Sequence, residues 1–428
     1  MAKAFVFYSV LFSFTLAAGA TMAAKPAATP GLVKDKPAAG RFVKTDRGYM
    51  VPYTAKIPGT EVTFEMVPIP GGTFTMGSPA GEKGRNADEG PQFEVRVAPF
   101  WMSKYENTWA EYKQFMVLYE SFKGFDSLRS ALADPKKRDE TLKVIDPFKT
   151  LKSRVTEKDD PLDAITTPTK LYDPSFTFEL GERPRQPAVT MTQYAAKQYT
   201  KWLSGMSGQF YRLPGEAEWE YAARAGAKTA YHFGNDAKKL GEYEWYDDNA
   251  DETTHDVGKK KPNAWGLYDM HGNVAEWVLD QYVEKSHARH KGKTVTALES
   301  VAWPTKESPR VIKGGSWQDA AELCRAAARL AGEGEDWKAE DPNLPLSPWW
   351  YTDDPTRGIG FRMIRPLAAP MKELKEKVWE IDAKLIRLDV EGRLSDRRGT
   401  QGATNRDLPK AIEELQEYKK IVGKKRKK

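Results

Sequence analysis

The stretch Tyr211-Arg-Leu-Pro-Gly-Glu-Ala-Glu-Trp-Glu-Tyr-Ala-Ala-Arg-Ala-Gly226 is a helix entry followed by a dense mix of aromatic, acidic and basic side chains. Pro214 fits a first helical turn, and Glu216 and Glu218 stand near the positive end of the helix dipole. Just upstream, Thr192 is placed to cap a helix over 193–204, with Tyr194, Tyr199, Trp202 and Leu203 as its apolar side. Thr108 is placed to cap another, over 109–119, striped by Trp109, Tyr112, Phe115 and Met116. Residues 61–67 and 93–98 alternate as strands do, and Gly71-Gly72 marks a turn. Beyond Gly226 the chain is mostly Gly, Asn, Asp and Pro punctuation with short strands between. Mixed helices and strands with long loops predict an α+β fold.

Five further segments occur in order with this one. They are Val67-Pro-Ile-Pro-Gly-Gly-Thr-Phe-Thr-Met-Gly77 with Asp88-Glu-Gly-Pro91, then Asn263-Ala-Trp-Gly-Leu-Tyr-Asp-Met-His-Gly-Asn-Val-Ala-Glu-Trp277, then Arg310-Val-Ile-Lys-Gly-Gly-Ser-Trp317, then Gly358-Ile-Gly-Phe-Arg362. Together they resemble the formylglycine-generating enzyme, or sulfatase-modifying factor, domain family over residues 60–366. The resemblance implies a loop-rich α+β domain, a complex variant of the C-type-lectin architecture.

Outside that region the composition shifts. Residues 1–20 read as a signal peptide, with Lys3 as basic flank, a short apolar run and Ala18-Gly19-Ala20 as cleavage site. This predicts an exported protein, periplasmic or extracellular. Residues 21–59 read as a flexible linker. Residues 123–185 are an insertion, expected as a surface excursion with one short helix at 127–132. Residues 367–428 read as a helical, coiled-coil-like basic tail: Leu374, Val378, Ile381, Leu385 and Leu388 repeat at 4-3-4-3 spacing, which predicts self-association through 374–388. The tail has 17 basic and 11 acidic residues, a difference equal to the whole formal excess of +6. Its Lys424–Lys428 end suits an anionic surface, and export disfavours nucleic acid as its partner.

The chemistry turns on one cysteine in 428 residues. Members of the family that make formylglycine resemble Cu(I) enzymes with two thiolates, two and seven residues past the Gly-Gly-Ser-Trp tryptophan. Soft Cu(I) favours such a pair. Here those places hold Asp319 and Cys324, so the bis-thiolate is missing and copper is disfavoured. Counted from the Arg325–Arg329 run, Cys324 instead falls on a packing position. Ser316, Asp319 and Cys324 are the remaining catalytic candidates. The histidines, His232, His255, His271, His287 and His290, lack the spacing of an iron site. The resemblance implies a structural calcium held by the Asp269 and Glu276 side chains and the Gly272 and Val274 carbonyls. The alternative is that these carboxylates only cap turns or pair with a nearby arginine. Ala275 stands where many active members carry Trp. Trp317, Arg325, Arg329, Trp349 and Trp350 are the candidates for a groove that binds a protein, peptide or glycan. Two functions compete: a binding or scaffold protein without the cysteine pair, and an oxidoreductase of the same family.

Overall fold

A computed structural model describes residues 29–157, 164–169, 174–332, 337, 347–368 and 370–425. The signal-peptide reading of 1–20 and the final Arg426–Lys428 lie outside the described residues. The core is built from small sheets held together by two buried helices. One sheet orders the strands Leu330–Gly332, Arg310–Lys313, Ala275–Gln281 and Ile359–Gly360. A second orders Ile364–Pro366, Phe100–Ser103, Thr63–Ile69 and Tyr53–Lys56. A third joins Thr294–Thr296, Phe93–Val97 and Gly72–Met76. The 275–281 and 310–313 strands are buried along their whole length, as sheets covered on both faces are.

The Gln193–Ser207 helix starts where its sequence says. Thr192 accepts a hydrogen bond from the Ala195 amide at 3.1 Å, and Gly208 closes the helix at φ 69°. The Trp109–Met116 helix starts after Thr108, whose amide and hydroxyl both donate to Glu111 Oε2. Glu111 is buried, and burial pushes its carboxyl up to about 7 against the pull of the Thr108 bonds. Between about pH 4.5 and that value the native state holds a proton that the unfolded chain has lost, so stability falls as pH rises. Glu111→Gln keeps the reach-back contact of the cap and removes the titration. The stability difference between variant and wild type should therefore move in the variant's favour by on the order of 3 kcal/mol between pH 4 and 8. Urea unfolding at both pH values checks it, and a pH-independent difference would refute it.

Three expectations from the sequence need correction. The flexible-linker reading of 21–59 fails from residue 29 on. Gly48–Met50 pairs with both Leu32–Val33 and Val43–Thr45, and Tyr53–Lys56 pairs with the 63–69 strand. The insertion is largely helical: Leu118–Ala133, Arg138–Ile145 and Lys149–Thr156 run through it, and Ala164–Thr167 is a strand. That strand pairs with Thr400–Ala403, and the 149–156 helix packs on Leu408–Lys425. Phe122, Phe125, Leu151 and Val155 are buried with Leu408, Ala411 and Leu415. Insertion and tail thus build one layer on the family domain.

The coiled-coil seam is the third correction. The helix breaks after Lys372–Trp379 and restarts at Lys384–Ser395. Asp382, in the break, pairs with Lys197 and Arg310, and Lys197 also donates to the Glu380 carbonyl. Those bonds to the domain hold the chain out of helical geometry. Val378 is fully buried within the chain, whereas Leu385 and Leu388 are half exposed.

Candidate functional site

The 216–224 helix is held by its acidic residues. Gly215 is its N-cap, so Pro214 precedes the helix instead of lying in its first turn. Glu218 accepts from Arg212 at 2.7 and 2.8 Å and from the Gly215 amide. Glu216 accepts from Arg329 at 2.6 and 3.0 Å. Burial works against its charge, but Arg329 and Lys313 hold its carboxyl down to about 2. Glu220 accepts from Arg224 and from the Gly77 amide. Asp280, on the neighbouring strand, accepts from the Glu216 and Ala302 amides. Charge-assisted bonds of this kind are the strong ones, and here they fasten four segments to one helix.

Next to this helix lies a cluster of four buried carboxylates, Glu106, Glu244, Asp269 and Glu276, around the guanidinium of Arg362. Arg362 Nε lies 2.7 and 2.8 Å from the two Glu276 oxygens, and Trp219 Nε1 donates to Glu276 at 2.7 Å. Arg362 also donates to the carbonyls of Ser103, Tyr268 and Asp269. Glu106 accepts from the Val274 amide and the Asn273 side chain. Asp269 Oδ2 accepts from the Gly258 amide, while Asp269 Oδ1 and Glu244 Oε2 are buried with no partner among the described residues. Burial and the neighbouring negative charges push Glu106 and Glu244 well above the usual carboxylate range; burial pushes Asp269 up to about 6.

The calcium set expected from the sequence fits this geometry poorly. Glu276 already has a counter-charge in Arg362, the alternative left open by its sequence context. Of the two expected carboxylate ligands, only Asp269 has an oxygen to spare. Calcium takes six or more hard oxygens. Among the described residues no group of three or more His, Cys, Asp or Glu stands close enough to hold a metal ion.

The segment that would carry oxidase chemistry has other bonds. Gly314 and Gly315 take φ of 102° and 69°, a turn that L side chains avoid. A Cβ on Gly315 would lie 2.6 Å from Cys324 Sγ, so the thiol plugs the underside of that turn. Cys324 is fully buried, and burial, with Asp319 next, pushes its thiol well up. It is a protonated packing group, not a thiolate. Asp319 Oδ2 accepts from the Ser316 amide and hydroxyl at 2.8 and 2.7 Å, a local turn. His271 does not reach Ser316: Nδ1 bonds to the Cys324 carbonyl at 2.8 Å, and Nε2 accepts from the His232 amide. That arrangement fixes a neutral imidazole, and burial holds both rings below the usual histidine range, His232 at about 4.

The expected groove does not form. Trp349 and Trp350 are 0% and 3% exposed and belong to the main core. Arg325 forks onto Glu89 at 2.6 and 2.8 Å and reaches Glu82, and Arg329 is spent on Glu216. Of the five, Trp317 alone is half-buried, its Nε1 donating to the Arg357 carbonyl. Sequence reasoning missed Glu106 and Glu244, which sit in no motif and reach the cluster only through folding.

Cys324→Ser is expected to cost about 1–3 kcal/mol, for a hydroxyl left without a good partner under the Gly315 turn. Denaturant unfolding checks it. An unchanged midpoint would show the site to be looser than the structure has it.

The chain is similar to known proteins over much of its length. The model of the sulfatase-modifying factor enzyme 1-like domain matches residues 54–340. The formylglycine-generating enzyme of Thermomonospora curvata is 28% identical over 294 residues, covering 63% of this chain and 88% of that protein. The inactive C-alpha-formylglycine-generating enzyme 2 of Bos taurus is 27% identical over 285 residues, covering 62% and 80%. Among solved structures, PvdO from Pseudomonas aeruginosa aligns over 73% of this chain and all of that one, at 28% identity and a TM-score of 0.46. With two thirds of its length matched from the 53–56 strand onward, the chain belongs to the sulfatase-modifying factor enzyme 1-like domain family and has its α+β fold.

Proposed function

We propose that this protein is an exported, non-oxidase member of the family that works as a binding or scaffold protein. One observation carries the reading: the single thiol of the chain is buried beneath Gly315, and two residues past Trp317, where the resemblance implies a thiolate, the chain has Asp319, tied to Ser316. A lone protonated thiol cannot make the two-thiolate site that Cu(I) favours. A similar relative carries the word inactive in its name. Competition for Cu(I) against a colorimetric chelator tests this. The protein should leave the copper with the chelator, and stoichiometric uptake lost in Cys324→Ser would favour the oxidoreductase alternative.

Export rests on residues 1–20. Among the described residues no helix is long and apolar enough to cross a membrane. Partner docking or self-association falls to the exposed Leu385 and Leu388, since Val378 is used inside the chain. Light scattering of a Leu385→Lys, Leu388→Lys variant beside the wild type tests the self-association half.

For the acidic cluster the reading is charge relief by Arg362 and by protonation, in place of calcium. Calcium and chelator should leave the melting temperature at pH 7 unchanged. A drop with chelator, absent in Asp269→Asn, would restore a calcium at this place.

A further inference from the structure

A cavity of about 490 Å³ opens between the end of the 193–207 helix, the 364–366 strand and the 372–379 helix. Tail residues Lys375, Trp379 and Thr404 form part of its wall, and neither Gly314 nor Gly315 lines it. Its charged lining residues are Arg47, Lys201, Arg365 and Lys375, so among the described residues every charged group on the wall is a cation. Phe210 and Trp379 supply an aromatic side, their rings 5.0 Å apart.

Arg365 is the informative residue. It is 2% exposed, with its guanidinium 4.0 Å from the Trp101 ring and 4.8 Å from the Tyr53 ring. Nη1 donates to Gln209 Oε1 at 2.8 Å and Nη2 to the Pro30 carbonyl; Nε has no acceptor among the described residues. Among the described residues no carboxylate pairs with it. Six of the other buried arginines, 212, 224, 310, 325, 329 and 362, each have one, and Arg154 bonds to the Ala403 carbonyl and the Asn405 side chain. A buried charge without a counter-charge is costly, and stacking on two rings offsets only part of that. At the rim, Arg47 spends one donor on the Leu367 carbonyl.

We propose that this cavity binds a small organic oxyanion, a phosphate or sulfate ester, with the charged group facing Arg365, Arg47 and Lys375 and the organic part on Phe210 and Trp379. Both ends of the Arg365 fork are occupied, so a two-point carboxylate clamp is not on offer. Nε is itself closed off, so Arg365 offers a ligand its charge and not a new bond. That charge, with the Arg47 and Lys375 donors around the cavity, suits a tetrahedral oxyanion with several acceptor oxygens. Walls drawn from both the family domain and the tail give the appended helices a part in recognition. The inference does not depend on whether the Gly315 region is an oxidase.

The test is calorimetric titration of the full chain with phenyl phosphate, inorganic phosphate and benzoate, at constant ionic strength set by chloride. Phenyl phosphate should bind saturably at one site, at least tenfold tighter than either of the others. Arg47→Gln with Lys375→Gln should weaken it at least tenfold without moving the ligand-free melting temperature, which shows that the variant folds. Unchanged binding in that variant, or no saturable binding by phenyl phosphate, would overturn the proposal. Equal affinity for inorganic phosphate would remove the aromatic wall from it, and equal affinity for benzoate would overturn the choice of oxyanion.

Discussion

Arg362→Met is expected to cost the fold about 3–5 kcal/mol, the range for breaking a buried ion pair by removing one partner. The change leaves Glu276, Glu106, Glu244 and Asp269 buried without the one guanidinium they surround, and strips donors from three carbonyls. The companion Glu276→Gln, Arg362→Met should recover part of the loss, because an apolar side chain beside a neutral amide is cheaper than an orphaned carboxylate. Denaturant unfolding of both variants measures it. A loss below about 1 kcal/mol in the single variant would mean that the cluster holds its charge in another way, a bound cation being the first candidate.

A chain ending at Pro366 is expected to lose cooperative unfolding or to aggregate. Val378, Ile386, Val390, Leu408, Ala411 and Leu415 are all buried against the family domain and its insertion. Burying the five Val, Ile and Leu side chains contributes about 1.5–3 kcal/mol each, so the sum is on the order of 10 kcal/mol, comparable with the whole stability of a domain. The truncation also removes Glu414, which accepts from the Leu151 amide, and the strand that pairs with 164–167. Dye binding to exposed apolar surface and a lost thermal transition are the expected signs. A truncated chain that melts cooperatively at the wild-type temperature would show the tail to be an independent appendage.

Local chemistry was legible in the sequence, and partners distant along the chain were not. Thr108 and Thr192 cap as read, because capping depends on residues three places away. The acidic 216–220 run was visible, but its partner Arg329 lies 113 residues on, and nothing in spacing announces it. The helices of 118–156 looked polar and scattered because their apolar positions meet a segment more than 240 residues downstream. The heptad spacing of 374–388 was real, yet Asp382 prefers Lys197 and Arg310 to a helical turn, so tertiary ion pairs override the pattern. Arg325 and Arg329 read as groove residues, and are the counter-charges of the buried Glu89 and Glu216.

The central claim is that the family fold is kept here without the family's oxidase chemistry. It is tested most directly by incubating the purified, copper-supplied protein with oxygen, reductant and a cysteine-containing sulfatase peptide, and weighing the peptide by mass spectrometry. The account predicts that the cysteine mass persists at all times. Conversion of the cysteine to an aldehyde at a rate proportional to protein, and lost in Cys324→Ser, would contradict it.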